Sequence, residues 1–341
     1  MKYKKYITED DLENIAHGAT LLGSGGGGDP ECDLLRTAEL IRRLGPIPVI
    51  EVEELNDDDL VVPIAFMGAP LVCIEKLMSG KETAAILEQI ELFYGRKPSA
   101  LVACEIGGSN AFSALQAAIC AGLPVIDGDT LGRAFPQLEM SACTLFGISP
   151  TPAFIADSQG NVAQLKAESA KDVERLFRPL CTAMGSSAAV ALYIMNGKEA
   201  KKALIRGTLS ICEQLGAMLK KGSNDFKVIA SGVISDIEQE IQEGFLRGKI
   251  MISSGTQYTI DYQNEYLVLF EGQHAVVTTP DIIALVDTET GMPLSIEQVK
   301  FGLSVHILAI PCPPIWKTEK GLAMVGPEAF GYNISYNEVV V

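Results

Sequence analysis

Residues 100–133 read ALVACEIGGSNAFSALQAAICAGLPVIDGDTLGR. Two short apolar runs, at 100–104 and 123–127, flank a stretch at 109–121 with helical spacing. Neither run alternates with polar residues, so each predicts a strand covered on both faces, as in a parallel sheet clad by helices. Each run ends in a loop rich in glycine and acid, EIGGSN (105–110) and DGDTLGR (127–133). Ligands of such sheets gather where the strands' C-terminal ends open into loops.

Working outward, Thr8, the acids after it and Leu12, Ile15, Ala16, Ala19 and Leu22 predict a capped amphipathic helix that runs into LGSGGGGDP (22–30). A second helix is expected at about 31–44, stopping at Gly45-Pro46. It is followed by extended PVIEVEEL (48–55), an apolar run at 60–68 and a helix at about 80–94. From about 171 to 221 the pattern is helical, broken near Gly185 and Asn196-Gly197, with a short strand, AVALYIM (189–195), between the breaks. Strands alternating with helices predict a three-layer α/β/α domain with a mostly parallel sheet over residues 1–222. Between about 226 and 312 the text changes to short strands closely punctuated by Gly, Asn and Asp. That spacing predicts a small antiparallel β-barrel over 223–317, with 318–341 returning to the first domain.

The chain has 341 residues, a formal net charge of −16, 48% hydrophobic and 21% charged residues. It is therefore globular, with room for about two domains of roughly 150 residues each, and its field disfavours phosphate backbones and anionic lipid. Short basic groups, Lys2/Lys4/Lys5 and Lys201/Lys202, read as solvated faces. Eight cysteines, Cys73 among them, form no CxxC pair, and several sit in apolar runs as core thiols do, which argues for a reducing, cytoplasmic compartment. No apolar signal region precedes the first helix, and the most apolar stretch, Leu60 to Ile74, carries Pro63 and Pro70 and falls short of the roughly 20 residues of a spanning helix.

Three stretches carry candidate chemistry. Gly25, Gly26, Gly27 and Gly28, followed by Asp29, expose N–H groups that cradle an anion or oxyanion, or else form a plain turn; no P-loop Lys follows. Glu105 stands at a strand end with Gly107, Gly108, Ser109 and Asn110 around it, as a general base or as a helix cap. Asp127 and Asp129 are spaced to share a divalent metal or to split into a base and an orienting group, or else Asp129 is a plain helix cap; the metal question stays open. Arg133 suits a substrate carboxylate and Glu139 is a substrate-binding candidate, or else the two simply pair with each other. His17 reads as a helix histidine, Cys104 as a core thiol, and the Arg206–Ser210 and Ser231–Glu238 strings as structural. With three histidines far apart and no HExxH or GxSxG, zincin and serine-hydrolase chemistry is not expected.

The strings LGSGGGGDP (22–30), EIGGSNA (105–111), GLPVIDGDTLGRAFPQLEM (122–140), RGTLS (206–210), VISDIEQEIQEGFLRG (233–248), PDIIALVDTETGMPL (280–294) and GPEAFGY (326–332) together resemble the S-methyl thiohydantoin desulfurase-like family. The resemblance covers nearly the whole chain. It implies a three-layer α/β domain with a small β-barrel toward the C-terminus. It also implies hydrolytic removal of methanethiol from an S-methylated thiohydantoin, leaving a hydantoin. Such proteins are often found beside hydantoinase/oxoprolinase enzymes, which implies either an enzyme or a non-catalytic companion subunit, and a homo-oligomer is expected. Where the family pattern is expected to read Pro-Glu-Leu-Gln-Met, this chain has Pro136-Gln137-Leu138-Glu139-Met140. The expected activity is hydrolysis of a small cyclic imide or thioimidate. Water attacks the ring carbon, Glu105, Asp127 or Asp129 serves as base, and Arg133 holds a substrate carboxylate.

Overall fold

A computed structural model describes residues 5–339 apart from 69–71, 73, 74, 77, 223–225, 243 and 244. Lys2, Lys4, Pro70, Cys73 and Ile74 of the sequence reading lie outside the described residues. Strand β1 (Lys5–Ile7) leads into α1 (Glu9–Leu22), α2 (Glu31–Leu44), β2 (Ile47–Ile50), β3 (Leu60–Gly68), α3 (Lys81–Tyr94), β4 (Ala100–Ala103), α4 (Asn110–Ala121) and β5 (Val125–Asp129). Then follow α5 (Ala142–Leu145), β6 (Ala153–Ala156), β7 (Val162–Leu165), α6 (Ala170–Ala183), β8 (Ser187–Ala191), β9 (Met195–Asn196), α7 (Gly197–Ala203), β10 (Ile205–Arg206) and α8 (Thr208–Lys221).

The first sheet has the order β1-β2-β5-β4-β3-β8-β6-β7, with β10 beside β5 and β9 beside β3. Its centre, β2-β5-β4-β3, is parallel, as the uninterrupted apolar runs predict. Antiparallel strands extend it on both sides. Successive residues of the central strands serve opposite faces. Leu101 and Ala103 join a core with Ile15, Phe112 and Ile86 from α1, α4 and α3, whereas Ala100 and Val102 join one with Val173, Phe177 and Ala200 from α6 and α7. Helices thus cover the sheet on both sides, giving the expected three layers. Helix α1 starts as anticipated: the Thr8 N–H and hydroxyl both donate to Asp11, at 2.8 and 2.9 Å.

The remaining strands are β11 (Lys227–Gln242), β12 (Phe245–Ser254), β13 (Thr256–Gln263), β14 (Glu265–Glu271), β15 (His274–Thr278), β16 (Ile282–Asp287), β17 (Pro293–Leu294) and β18 (Ser304–Ile310). They form one antiparallel sheet in the order β15-β14-β13-β12-β11-β18-β16-β17. Register shifts at Ile234/Asp236, Val228/Ala230, Asp261/Tyr262 and Leu269/Phe270 bend it, and β14 packs on β16, which is not its ladder neighbour. The sheet is therefore strongly curled around the Ile250, Ile260, Leu285 and Ile307 core. Among the described residues its end strands β15 and β17 are not paired with each other.

The tail is ordered by named contacts. Trp316 is fully buried and its indole N–H donates to Leu131 O at 2.6 Å. Helix α9 (Glu319–Val325) is tied by Thr279 Oγ1 donating to Val325 O at 2.9 Å, and Tyr336 OH donates to Asp281 at 2.9 Å. No helix among the described residues is long and apolar enough to cross a membrane.

Candidate functional site

The glycine loop after α1 is the junction of the molecule. Ser24, fully buried with φ 50°, gives its hydroxyl to Ile283 O at 3.0 Å, and its carbonyl accepts the Tyr266 N–H at 2.6 Å. The Ile296 N–H donates to Gly25 O at 2.8 Å, so the second sheet is fastened to this loop by its backbone. On its other side the loop meets the 105–110 loop. The Ser109 N–H donates to Gly27 O at 2.9 Å and the Gly108 N–H to Ala19 O at 2.8 Å. A Cβ on Gly108 would lie 2.4 Å from the Gly27 backbone, and one on Gly26 would lie 2.1 Å from Glu265 Oε1. Gly26 supplies close approach alone, whereas Gly108 supplies both close approach and a left-handed backbone, with φ 61°.

Between the loops and the two sheets lies a cavity of about 280 Å³. Of the residues singled out in the sequence, Gly26, Gly27, Gly28, Asp29, Glu105, Ser109 and Asn110 line it. Its far wall is apolar, with Phe66, Met67, Leu138, Val190, Leu192 and Leu246. Among the described residues, the Gly27 and Gly28 N–H groups have no protein acceptor, whereas the Gly26 N–H donates to Gly23 O at 2.9 Å.

Glu105 stands one residue beyond β4, after Cys104, and keeps partial exposure to the cavity. Asn110 Nδ2 donates to its Oε1 at 2.5 Å, and Asn110 is itself fixed by the Phe66 N–H donating to Oδ1 at 2.7 Å. Burial pushes the Glu105 carboxyl up to about 7, against the Asn110 amide, the Phe135 N–H and the Arg133 charge, which favour the anion. A carboxylate that titrates near neutrality, held by the Asn110 amide and the Phe135 N–H and facing a cavity, has the properties of a general base.

Asp127 and Asp129 do not line this cavity, although they lie on the strand next to β4. The Asp127 carboxylate accepts the Ser210 N–H at 3.1 Å and the Ser210 hydroxyl, which caps the N-terminus of α8. Asp129 accepts the N–H groups of Ile106 at 2.9 Å, Leu131 at 3.1 Å and Gly132 at 2.8 Å, and so shapes both loops from behind. Burial raises its carboxyl to about 7 despite those three amides. Both carboxylates are thus committed to protein donors, and among the described residues no group of three or more His, Cys, Asp and Glu is placed to hold a metal ion.

Arg133 is fully buried behind the cavity wall. Its Nε donates to Ala134 O at 2.9 Å, its Nη1 to Pro280 O at 2.7 Å and Asp281 O at 3.0 Å, and its guanidinium lies 4.7 Å from the Phe135 ring centroid. It makes no ion pair with Glu139 among the described residues, and Glu139 also lies off the cavity. Gly107 packs against Ala134 and Gly23, and Gly25 lies under the Tyr266 ring; both are supports rather than lining. Asp29 holds the loop shut, accepting the Glu31 N–H at 3.0 Å and the Gln298 amide at 2.7 Å. The Cys104 thiol lines the cavity, but burial pushes it well above the usual thiol range, which leaves it a poor nucleophile. His17 is buried in α1, away from the cavity.

Four cavity acids escaped the sequence reading, Glu31 and Asp33 at the start of α2 and Glu265 and Glu297 from the second sheet's side. Glu265 heads an apolar strand, EYLVLFE, and an acid in that place is the one local signal it leaves. Gln137 also lines the cavity, at the position where the family pattern was expected to place Glu.

Fold and site define a two-sheet α/β protein with a cavity between the sheets whose carboxyl groups come from both sides. The model of the S-Me-THD-like N-terminal domain matches residues 10–167 and that of the S-Me-THD-like C-terminal domain matches residues 168–339. The chain belongs to the S-Me-THD-like family. It is similar to a protein from Chromobacterium violaceum solved by X-ray crystallography, with 25% identity and a TM-score of 0.82 over 98% of this chain and 100% of the other. A search of the curated proteins finds no match.

Proposed function

We propose that the chain is a hydrolase of small five-membered cyclic thioimidates or imides, its best-suited substrate being an S-methylated thiohydantoin. The observation that carries this reading is Glu105, a carboxylate poised near neutrality in a cavity between the two sheets and aimed by Asn110. Glu105 takes a proton from water as the oxygen attacks the ring carbon. The Gly27 and Gly28 N–H groups face the anion that develops. Overall, S-methyl thiohydantoin and water give hydantoin and methanethiol. The cavity suits a ring of this size, near the lower end of ordinary ligand sites of about 300–1,000 Å³.

The same reading includes a division into 1–222 with 318–341 and 223–317, closure of the curled sheet as a small barrel, a cytoplasmic home, a homo-oligomer and a hydantoinase-type partner. A screen of hydantoins, thiohydantoins and S-methyl derivatives, followed by free thiol and ring absorbance, tests the activity. Thiol release by wild type that is lost in Glu105→Gln is expected. A folded protein stabilised by these rings without turning any of them over would replace the enzyme by a binding protein.

A further inference from the structure

Glu265 is delivered into the cavity by the same bond that ties the sheets together, since the N–H of its neighbour Tyr266 donates to Ser24 O. The residue is only 4% exposed. One carboxyl oxygen packs on Gly26, and the other, Oε2, is buried with no partner among the described residues. The ionisable groups around it are Glu105 from the loop after β4, Glu297 from the 296–298 turn, the buried Arg133 and its own neighbour Tyr266. Glu105, Glu265 and Asp281 therefore all feel the charge of one guanidinium, and Glu297 adds a further carboxyl beside Glu265. They cannot all be ionised without leaving net charge in the interior, and the most enclosed of them is the one to keep a proton. Burial, and after it the charge of Glu105, drives the Glu265 carboxyl well above the usual range, with Arg133 opposing. A protonated carboxyl with an unpartnered oxygen is a donor in want of an acceptor. Two carboxyls held apart in this way divide the roles of acid and base.

We propose that Glu265 is the catalytic acid of this site and gives its proton to the departing sulfur of an S-alkyl thioimidate ring. This rests on the hydrolase reading above and adds the group that reading lacks. As the water oxygen bonds to the ring carbon, its first proton passes to Glu105 and the C=N electron pair moves onto the ring nitrogen, which then takes that proton from Glu105. The C–S bond breaks with its pair on sulfur, and the Glu265 proton completes the thiol. The remaining hydroxyl proton leaves to Glu105 as the carbonyl forms, and its return to Glu265 resets the pair. No redox partner is needed. The preferred substrate class is a thioimidate with a basic leaving thiolate, ahead of a hydantoin, which has no sulfur to protonate.

The test compares S-methyl with S-(4-nitrophenyl) thiohydantoin on the full chain, because an aryl thiolate leaves without help from an acid. Glu265→Gln, which keeps the side chain's size against Gly26, is expected to lose about 100-fold in kcat on the S-methyl ring and less than about 5-fold on the S-aryl ring. Equal losses on both rings, or none on the S-methyl ring, overturn the acid role while leaving the hydrolase reading in place. A wild-type protein that releases thiol from neither ring overturns that reading and the acid role with it. Should the variant not fold, wild-type pH profiles decide. An alkaline loss of rate seen with the S-methyl ring alone supports the role, and matching alkaline limbs with both rings refute it.

Discussion

Asn110 Nδ2 donates to Glu105 Oε1 across 2.5 Å while its Oδ1 accepts the N–H of Phe66. The backbone of β3 thereby sets the angle of a carboxyl carried at the end of β4. Glu105→Gln is expected to lower kcat by about 10²- to 10⁴-fold. Its melting temperature should stay at or above that of wild type, because the change removes a buried acid. An active Glu105→Gln protein would sink the base assignment.

The pH profile follows from the same contact. Turnover needs the ionised form of Glu105, which titrates at about 7, so kcat should rise with pH through that value. The Asn110 bond favours the anion; Asn110→Ala removes it and should carry the acid limb to higher pH, with a fall in kcat of about 10-fold. An unmoved limb would mean that some other group titrates.

Asp127 is expected to matter to folding rather than to rate. Asp127→Ala takes the acceptor from the first turn of α8 and should cost about 1 kcal/mol of stability, as lost caps do. Its kcat should stay within about twofold of wild type. A variant that melts normally but has lost turnover would return Asp127 to the chemistry.

Two glycine substitutions separate the loop's roles. In Gly26→Ala the new methyl meets the flexible end of Glu265, which swings aside; activity should fall at least about 10-fold in a protein that still folds. In Gly108→Ala the methyl meets Gly27 backbone at a φ of +61°, where nothing can give, and the melting temperature should drop sharply. Similar outcomes for the two variants would refute the distinction.

Stability should decline as the solution is made less acidic. Glu105 and Asp129 each hold their protons up to about 7 when folded, above the ordinary carboxyl range that applies when unfolded. Between about pH 4 and pH 7 the native state therefore binds more protons than the unfolded one, and raising pH through that window weakens folding, with no further loss from these two groups above it. Thermal melts at pH 5 and pH 8 should show the higher midpoint at pH 5, and a smaller difference in Glu105→Gln.

The central strands were legible because β3 and β4 are apolar at successive positions, a pattern that two-sided burial explains, and β5 opens with Val125 and Ile126 before its Asp-Gly-Asp end. Strand β7 was not, since VAQL is largely half-exposed and too short for a period to show. The continuation of β11 through DIEQEIQ was hidden by helix-forming Glu and Gln on a strand that is exposed there. In the site, Glu105, Asp127 and Arg133 all carried one signal, charge just beyond an apolar run. Their fates differ because Ser210 claims Asp127 and the carbonyls of Pro280 and Asp281 claim Arg133, neighbours that no local spacing announces. Glu265 reaches the cavity only through the docking of one sheet on the other.

Strand β8 lies past the 167/168 border between the two family regions, yet it is hydrogen-bonded between β3 and β6, both of which precede that border. A gene cut there would leave the upstream product with a gap in the middle of its sheet and the downstream product with a hydrophobic ribbon that has nothing to join. The two halves should therefore fold only as one body, and shuffling either one into another polypeptide should not transplant a working unit.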